Sequence, residues 1–205
     1  MFNPWNLDAL IEVEKETGRN VFVVHQLCYH PEIIKLREKV LNGQQDKVYN
    51  VELTYITPRG KWYQFSWKGD EQKSGGIVTN ISIHLFDLLI SLFGEVLSFQ
   101  IEKSTPVSIV GSLTQDNAKV KWHLSIDRND LKTENSNAES FNDIRTIFID
   151  NDVIELGDLT VESLHTKSYT SILAGKGIGL KEVMPSISLV SRIQHSVQLK
   201  KNSWV

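Results

Sequence analysis

The pattern of hydrophobic and polar positions predicts helices toward both ends of the chain and strands between them. Apolar residues recur at helical spacing in five segments, which predicts helices over 4–17, 31–42, 78–93, 163–174 and 185–200. Alternating or continuous apolar runs predict strands over 21–24, 49–55, 98–101, 107–114, 119–126, 145–149 and 153–156. The order of these elements indicates an α+β fold with a mostly antiparallel sheet.

The predicted strand over 21–24 differs from the others because its four residues are all apolar. A continuous apolar run is typical of a strand that is buried on both faces in a parallel sheet. By contrast, the alternation over 49–55 predicts an antiparallel strand with one hydrated face. The run 21–24 is therefore out of place in a mostly antiparallel fold.

Two further segments are predicted to be irregular. Residues 127–142 are rich in Asn, Ser, Asp and Glu, which is typical of a solvated loop. The glycines at 175, 177 and 179 superficially suggest a phosphate-binding loop, but a predicted helix precedes them where a dinucleotide fingerprint requires a strand. We therefore interpret 175–179 as the end of a helix followed by a turn.

Composition and charge exclude several classes of protein. The chain has 205 residues, 22 Lys and Arg against 25 Asp and Glu, and a formal net charge of −3. This balance lacks the broad basic field of a nucleic-acid-binding protein, and the single Cys28 forbids an internal disulfide. Polar residues interrupt the apolar stretch 77–93 and the N-terminus has no secretion signal, so we expect no membrane span and a cytoplasmic location.

Three polar side chains share one face of the predicted helix 78–93. Asn80, His84 and Asp87 are spaced i, i+4 and i+7, so they project in the same direction. A histidine that its neighbours orient can exchange a proton with a substrate hydroxyl near neutral pH. The same spacing is also typical of buried polar groups that only satisfy one another. The pattern leaves both interpretations open.

Aromatic and cationic residues are interleaved over 58–69. Aromatic faces can stack on a nucleobase, and Arg and Lys can pair with a diphosphate, which indicates a nucleotide-bearing ligand. The alternative is an aromatic strand whose charges only face solvent and whose tryptophans belong to the core. No Walker loop or zinc-ligand spacing occurs in the sequence, so we predict no metal site.

Three stretches together resemble the C-terminal half of the Gfo/Idh/MocA oxidoreductase family: 75–94, with Gly75-Gly76, His84 and Asp87, then 168–179, then 185–190. The segments 57–63, 66–70, 77–81 and 164–169 further resemble the bacterial branch that oxidises UDP-N-acetylglucosaminuronic acid at its C3 hydroxyl. That reaction is an early step toward surface polysaccharides such as lipopolysaccharide. In this branch Asn stands at the position of Asn80, where many family members have Asp. The resemblance covers about residues 2–198.

The resemblance implies a domain organisation. Family members join a Rossmann domain, which binds NAD, to an open-sheet domain with helices on one face, which binds substrate and forms the oligomer. It follows that residues 1–27 are a remnant helix and strand of a missing Rossmann domain, and that 28–205 are the substrate-binding and oligomerisation domain. The family's Glu-Lys-Pro motif, which carries its catalytic Lys, would fall just upstream of Phe2.

The expected function is therefore that of a truncated NAD-dependent sugar-nucleotide dehydrogenase that is inactive alone. No glycine-rich strand-turn-helix fingerprint occurs in the sequence, so we expect no NAD to bind this chain by itself. Two alternatives remain open. The chain is one half of a split enzyme, whose separate Rossmann polypeptide docks on 21–24, or it is a non-catalytic module for sugar-nucleotide binding or oligomerisation.

The resemblance also implies roles for individual residues. His84 is expected to meet the hydroxyl that is oxidised, with Asn80 and Asp87 as its positioning neighbours. The expected substrate-binding residues are Arg59, Trp62, Tyr63, Trp67, Lys68, Gln26, His30 and Tyr169. The expected partners are a UDP-sugar and further copies of the chain, which associate through the open sheet. Two positions depart from the family pattern, since Cys28 replaces the usual Arg and Ser82 the usual Gly.

Overall fold

A six-stranded sheet lies at the centre of the computed structural model, which describes residues 3–43, 47–134, 142–157 and 161–202. In chain order the strands are β1 (Phe22–Val23), β2 (Tyr49–Ile56), β3 (Val96–Ser104), β4 (Ser108–Gln115), β5 (Ala118–Ser125), β6 (Ile144–Ile149), β7 (Asp152–Glu155) and β8 (Ile178–Gly179). The helices are α1 (Pro4–Thr17), α2 (Pro31–Leu41), α3 (Lys61–Phe65), α4 (Glu71–Ser74), α5 (Gly76–Asn80), α6 (Ser82–Phe93), α7 (Arg128–Glu134), α8 (Val161–Leu173) and α9 (Leu180–Asn202), with a 3-10 turn at Gln26–Tyr29.

The strand order in the large sheet is β3-β4-β5-β2-β6-β7, and four of its five pairings are antiparallel. The prediction of a mostly antiparallel sheet is therefore confirmed. The exception is β2, which runs parallel to β5 with Tyr49 opposite Ala118. This pairing is a crossover, because the helices α3 to α6 and the strands β3 and β4 lie between the two strands in the chain.

Alternation along β2 places its core side and its hydrated side as the sequence predicts. Tyr49, Val51 and Leu53 are buried, whereas Asn50 and Glu52 are exposed. Helices α6 and α9 pack on the buried side, where the rings of Phe86 and Trp122 meet edge to face with centroids 5.4 Å apart. Each fully buried side chain of this size stabilises the fold by about 1.5–3 kcal/mol, so this side of the sheet carries the core.

The segment predicted as one helix over 78–93 is two helices, α5 and α6, joined at Ile81. The hydroxyl of Ser82, which is fully buried, donates a hydrogen bond to the carbonyl of Val78 one turn earlier. Such a bond to the i−4 carbonyl competes with the backbone ladder and bends a helix. The break between α5 and α6 therefore falls beside Ser82.

Two segments for which no helix was predicted are helical. Residues 61–65 form α3 rather than part of a strand, because Gly60 precedes a run without a β-branched residue. Within 127–142, predicted as a loop, Arg128–Glu134 form α7, and the Asp127 carboxylate accepts a hydrogen bond from the Asn129 N–H at the helix start. The remainder of that segment at 135–141 lies outside the described residues.

Helix α9 begins five residues earlier than predicted, and Pro185 lies inside it. The Glu182 carboxylate reaches back to accept the Gly179 N–H at 2.6 Å, which is half of a capping box and fixes the helix start. The prediction that a helix ends and the chain turns over 175–179 is confirmed at its start, since α8 ends at Leu173 and Gly175 adopts φ +72°, whereas Ile178–Gly179 forms β8.

The apolar run 21–24 is not buried on both faces, and its strand is not parallel. Only Phe22–Val23 is extended, and it pairs antiparallel with β8, which the sequence did not predict. All four residues are half-buried. One side of the run packs on a small cluster formed by Leu7 of α1 and by the start of α9. The other side of the run remains partly exposed.

None of the helices in the described ranges is long and apolar enough to cross a membrane.

Candidate active site around His84

A cavity of about 300 Å³ lies where α1 and the segment after β1 face α5, α6 and α9. Its wall combines apolar side chains from α1, β1 and α9 with polar side chains from α4, α5 and α6. The lining residues are Leu7, Val23, Val24, His25, Trp67, Lys73, Ser74, Thr79, Asn80, Ile83, His84, Ile187 and Val190. The cavity thus joins both ends of the chain with the helices α4 to α6.

Four buried polar atoms of the residues that line this cavity have no hydrogen-bond partner among the residues that the structure describes. They are Nδ1 of His25, Nδ1 of His84, Nδ2 of Asn80 and Oγ1 of Thr79. An unsatisfied buried donor or acceptor costs about 1–3 kcal/mol, so a wall that holds four of them favours a polar occupant. An amide donor, a hydroxyl and an imidazole are groups that bind the hydroxyls of a sugar.

His84 is neutral at physiological pH. Burial lowers the pKa of His84 to about 4, and the neighbouring His25 and His165 lower it further, against the opposing charge of Asp87. A neutral imidazole offers one donor and one acceptor rather than two donors. His84 is therefore suited to hold a hydroxyl group through a hydrogen bond to its lone pair.

Asp87 does not neighbour His84 in the way that the i, i+4, i+7 spacing suggests. Its Oδ2 lies 2.7 Å from Nδ1 of His25, and its Oδ1 accepts a hydrogen bond from the hydroxyl of Ser186 at 3.0 Å. Asn80 and His84 line the cavity, whereas Asp87 lies behind its wall. The predicted group of three is thus divided into two cavity residues and one residue that orients His25.

His25 and Thr79 are polar cavity residues that sequence reasoning missed. His25 is the second residue after β1 and is 5% exposed, and its ring meets that of His84 at 80° with centroids 5.1 Å apart. The sequence signal for His25 is its place directly after the apolar run 21–24, because polar side chains that follow the strands of α/β proteins face a ligand cleft.

The aromatic and cationic segment 58–69 contributes to two cavities. Trp67 lines the His84 cavity, while Tyr63 and Lys68 line a second cavity of about 270 Å³. Ser74 holds the chain between them, since its hydroxyl donates to the Lys68 carbonyl at 2.9 Å and accepts from the Gly76 N–H at 3.0 Å. The Tyr63 hydroxyl is buried without a hydrogen-bond partner in the described ranges.

The remaining predicted substrate-binding residues line neither cavity: Arg59, Trp62, Gln26, His30 and Tyr169. His30 is buried and caps α2, because its Nδ1 accepts the Glu32 N–H at 3.2 Å. Gln26 lies half-buried in the 3-10 turn, Trp62 and Tyr169 are more than half exposed, and Tyr169 stacks on His165.

Cys28 is a protonated thiol near neutral pH. Burial raises its pKa to about 11, although the positive charge of Arg37 opposes the shift. Its Sγ donates a hydrogen bond to the carbonyl of His25 at 3.0 Å, which holds the backbone at the cavity wall. Cys28 therefore supports the position of His25 and carries no charge for a ligand.

The described residues do not fit the phosphates of a dinucleotide. The glycines at 175–179 precede α9, but the Glu182 carboxylate already accepts the Gly179 N–H at that helix start. A carboxylate at this position repels a phosphate. The sequence contains no other glycine-rich turn between a strand and a helix.

A separate polar cluster of His123, Ser108 and Asp130 lies on the other face of the sheet. Nε2 of His123 lies 3.2 Å from the Ser108 hydroxyl and 3.4 Å from Oδ2 of Asp130. A nucleophilic triad needs the hydroxyl and the carboxylate on opposite ring nitrogens, whereas both contacts here are to the same one. We therefore interpret this cluster as a contact that fastens α7 to the sheet.

Comparison with known proteins places this architecture among oxidoreductases. Residues 37–143 match the model of the Gfo/Idh/MocA "oxidoreductase family, C-terminal alpha/beta domain". A putative oxidoreductase of Bacillus subtilis, YteT, is 31% identical over 84 residues, which cover 40% of this chain and 20% of YteT.

Solved structures give a similar result. The crystal structure of the WlbA (WbpB) dehydrogenase from Thermus thermophilus with NAD and UDP-GlcNAcA superposes with a TM-score of 0.85 at 40% identity, covering 93% of this chain and 60% of that one. The WlbA dehydrogenase from Bordetella pertussis with NADH and UDP-GlcNAcA gives a TM-score of 0.74 at 18% identity, covering 96% and 66%, and shows the likeness of fold alone. The chain thus spans about three fifths of the Thermus structure and a fifth of YteT.

Proposed function

Because the chain belongs to the Gfo/Idh/MocA oxidoreductase family, of which it holds the C-terminal alpha/beta domain, we propose that it forms the substrate side of an NAD-dependent sugar-nucleotide dehydrogenase. The observation that carries this proposal is the His84 cavity, whose lining residues hold four buried polar atoms without hydrogen-bond partners in the described chain. The 40% identity to a Thermus dehydrogenase that binds UDP-GlcNAcA supports this sugar nucleotide as the ligand.

The proposed reaction is oxidation of the C3 hydroxyl of UDP-N-acetylglucosaminuronic acid. Asn80 and Thr79 bind sugar oxygens, and neutral His84 accepts a hydrogen bond from the hydroxyl that reacts. A bound nicotinamide would supply the hydride acceptor, and the dinucleotide-binding domain that would hold it lies outside these 205 residues. The hydroxyl proton would pass to His84, whose neutral ring can accept it. The keto sugar fits the synthesis of surface polysaccharides such as lipopolysaccharide.

The second cavity suits the nucleotide end of such a ligand. Both cavities use the segment 73–80 as a common wall, and both are lined by α9, at 187 and 190 in one and at 194 and 197 in the other. Seven residues of helix span about 10 Å, which separates the cavities by a distance suited to a two-part ligand. Lys68 provides a positive charge for the diphosphate, and the Tyr63 hydroxyl provides a donor.

We further propose that residues 1–27 belong structurally to the dinucleotide-binding half and that 28–205 form the substrate domain. These 205 residues are expected to bind no NAD and to perform no turnover by themselves, since neither a glycine-rich fingerprint nor a Glu-Lys-Pro motif occurs in them. In the split-enzyme version, a separate Rossmann polypeptide completes the site. Mixing the two chains then produces UDP-GlcNAcA-dependent NADH formation, which neither produces alone.

Calorimetric titration tests the proposal. The purified chain is titrated with UDP-GlcNAcA, with UDP and with NAD, and the variants Asn80→Ala and His84→Asn are compared with Lys35→Ala, a change of an exposed residue on α2. We expect UDP-GlcNAcA to bind more tightly than UDP, and both cavity variants to lose about tenfold in affinity while the control does not. Absence of any heat with UDP-GlcNAcA contradicts the proposed function.

One observation favours a further role in assembly. The sheet face opposite α6 and α9 carries the cross-strand pair Phe148 and Val153, which are 43% and 53% exposed, beside the charged Glu52 and Lys121. An exposed apolar pair within a charged face suits contact with a second copy of this chain. Light scattering tests this role, since Phe148→Glu is expected to yield monomers if the sheets face each other.

A further inference from the structure

Asp87 has both of its carboxylate oxygens engaged by residues from distant parts of the chain. His25 approaches Oδ2 from the segment after β1, at 2.7 Å, and Ser186 approaches Oδ1 from α9, at 3.0 Å. The side chains of His25 and Asp87 are 6% and 14% exposed. The arrangement is therefore buried and fixed from three elements, and the binding role given to Asn80 and His84 does not use it.

The 2.7 Å contact with Asp87 favours a proton on Nδ1 of His25, although the direction of the ring N–H falls outside hydrogen-bond geometry. A carboxylate only accepts hydrogen bonds, so the imidazole nitrogen that faces it, Nδ1, holds a hydrogen. In a neutral imidazole the other nitrogen, Nε2, then has a free lone pair. The backbone of His25 is fixed as well, since its carbonyl accepts a hydrogen bond from Cys28 Sγ.

His25 is also part of the cavity wall. It lines the same cavity as Asn80 and His84, with its ring edge-on to that of His84. We propose that His25 is a ligand-binding residue whose Nε2 accepts a hydrogen bond from a hydroxyl of the sugar, with Asp87 and Ser186 as positioning residues. This inference rests on the proposed function in one respect, that the occupant of the cavity is a sugar.

A purely structural role for the pair is the competing explanation. In that case, the contact between His25 and Asp87 only fastens the chain after β1 to α6. The two roles differ in which ring nitrogen matters, because the structural role needs Nδ1 alone while the binding role also needs Nε2. Two amide substitutions separate the nitrogens, since Asn places its amide near Nδ1 and Gln places its amide near Nε2.

The first experiment measures the tautomer of His25 in the ligand-free chain by long-range proton–nitrogen NMR near neutral pH. We expect a protonated Nδ1 and an unprotonated Nε2. A proton on Nε2, either as the other tautomer or as the imidazolium, overturns the inference. This measurement does not depend on the identity of the ligand.

The second experiment compares His25→Asn with His25→Gln by calorimetric titration with UDP-GlcNAcA and UDP. His25→Asn is expected to retain the contact with Asp87 and the wild-type stability, yet to lose about tenfold in affinity for UDP-GlcNAcA and none for UDP. His25→Gln is expected to lose stability but to keep more of the affinity. Unchanged affinity of a stable His25→Asn variant overturns the inference.

The two proposals fail in different ways. If the wild-type chain binds no UDP-GlcNAcA, the proposed function fails. The NMR measurement still tests which ring nitrogen of His25 is protonated. If the wild-type chain binds UDP-GlcNAcA more tightly than UDP and His25→Asn does the same, the function stands and the role of His25 is rejected.

Discussion

The ring of His25 meets the ring of His84 at 80°, with their centroids 5.1 Å apart, at the wall of one cavity. Two imidazoles at this distance disfavour a second positive charge, because like charges in a buried place repel each other. The pair is therefore best accommodated when His84 is neutral. The stability of the fold therefore depends on the protonation state of His84 in the candidate site.

The first prediction concerns pH. The pKa of His84 is lowered from 6.5 to about 4, mainly by burial, with His25 and His165 adding to the effect and Asp87 opposing it. Between these values the unfolded chain binds more protons than the folded one, so the free energy of unfolding falls as the pH decreases from 6.5 toward 4. Its slope approaches about 1.4 kcal/mol per pH unit.

Urea unfolding at about pH 7, 6 and 5 measures this slope. His84→Asn is expected to reduce the loss of stability at low pH, whereas His195→Asn, at an exposed position on α9, is expected to leave it unchanged. An identical slope in the wild type and in His84→Asn contradicts the assignment of this pH dependence to His84.

The second prediction compares two tryptophans of equal exposure. Trp62 and Trp67 are both 58% exposed, but only Trp67 lines the His84 cavity. We expect Trp67→Ala to weaken UDP-GlcNAcA binding by about 1 kcal/mol through loss of an aromatic contact, and Trp62→Ala to have no effect. Calorimetric titration of both variants checks this, and equal losses would refute a specific role for Trp67.

The third prediction concerns the buried hydroxyl of Tyr63, which has no hydrogen-bond partner in the described residues. Removing an unsatisfied buried hydroxyl is expected to stabilise the free protein, so Tyr63→Phe should raise the free energy of unfolding by about 1 kcal/mol. The same variant should weaken binding of UDP, because the hydroxyl serves the second cavity. A variant that is more stable and binds UDP unchanged would exclude Tyr63 from the nucleotide site.

The fourth prediction concerns Ser186, which is 1% exposed and donates to the Asp87 carboxylate. Ser186→Ala removes the hydrogen-bond donor of Oδ1 of Asp87. The free energy of unfolding should therefore fall by about 1–2 kcal/mol. Ser98→Ala, at an exposed position of β3, is the matched control in urea unfolding. Equal stability of the two variants would show that the hydroxyl contributes nothing to the Asp87 arrangement.

The fifth prediction concerns Cys28, whose pKa burial raises from 9.0 to about 11. A shift of two pKa units lowers the thiolate fraction about 100-fold, and the thiolate is the reactive form. We therefore expect slow reaction of the native chain with a disulfide reagent at mildly alkaline pH. Urea-unfolded protein is the control and should react at the ordinary rate; a native thiol that reacts equally fast would contradict the buried position.

The sequence predicted most of the elements but not the composition of the cavity. Alternation identified β2 and its buried face, and the caps at Asn3 and Gly18 identified α1, because these signals are local. The position of His25 depends instead on the pairing of β1 with β8, between residues more than 150 positions apart. A pattern of local spacing does not predict a contact between residues so far apart in the chain.

The same reason explains the division of the aromatic segment. Composition made a ligand-binding role for 58–69 one of two interpretations, but it could not show that the adjacent Trp67 and Lys68 line different cavities. Likewise, His84 and Asp87 lie one turn apart on α6, but the partner of Asp87 comes from outside that helix. Side-chain direction along one element does not determine which distant residue it meets.

The antiparallel pairing of Phe22 with Gly179 is expected to close the cavity late in folding. It joins residues that are far apart in the chain, whereas the hairpins β3-β4, β4-β5 and β6-β7 join neighbouring segments. The sheet and its helical cover can therefore assemble before the two chain ends meet. A ligand in the cavity contacts both chain ends and the segment 67–84, so its binding stabilises the docked ends together with the helices that they meet.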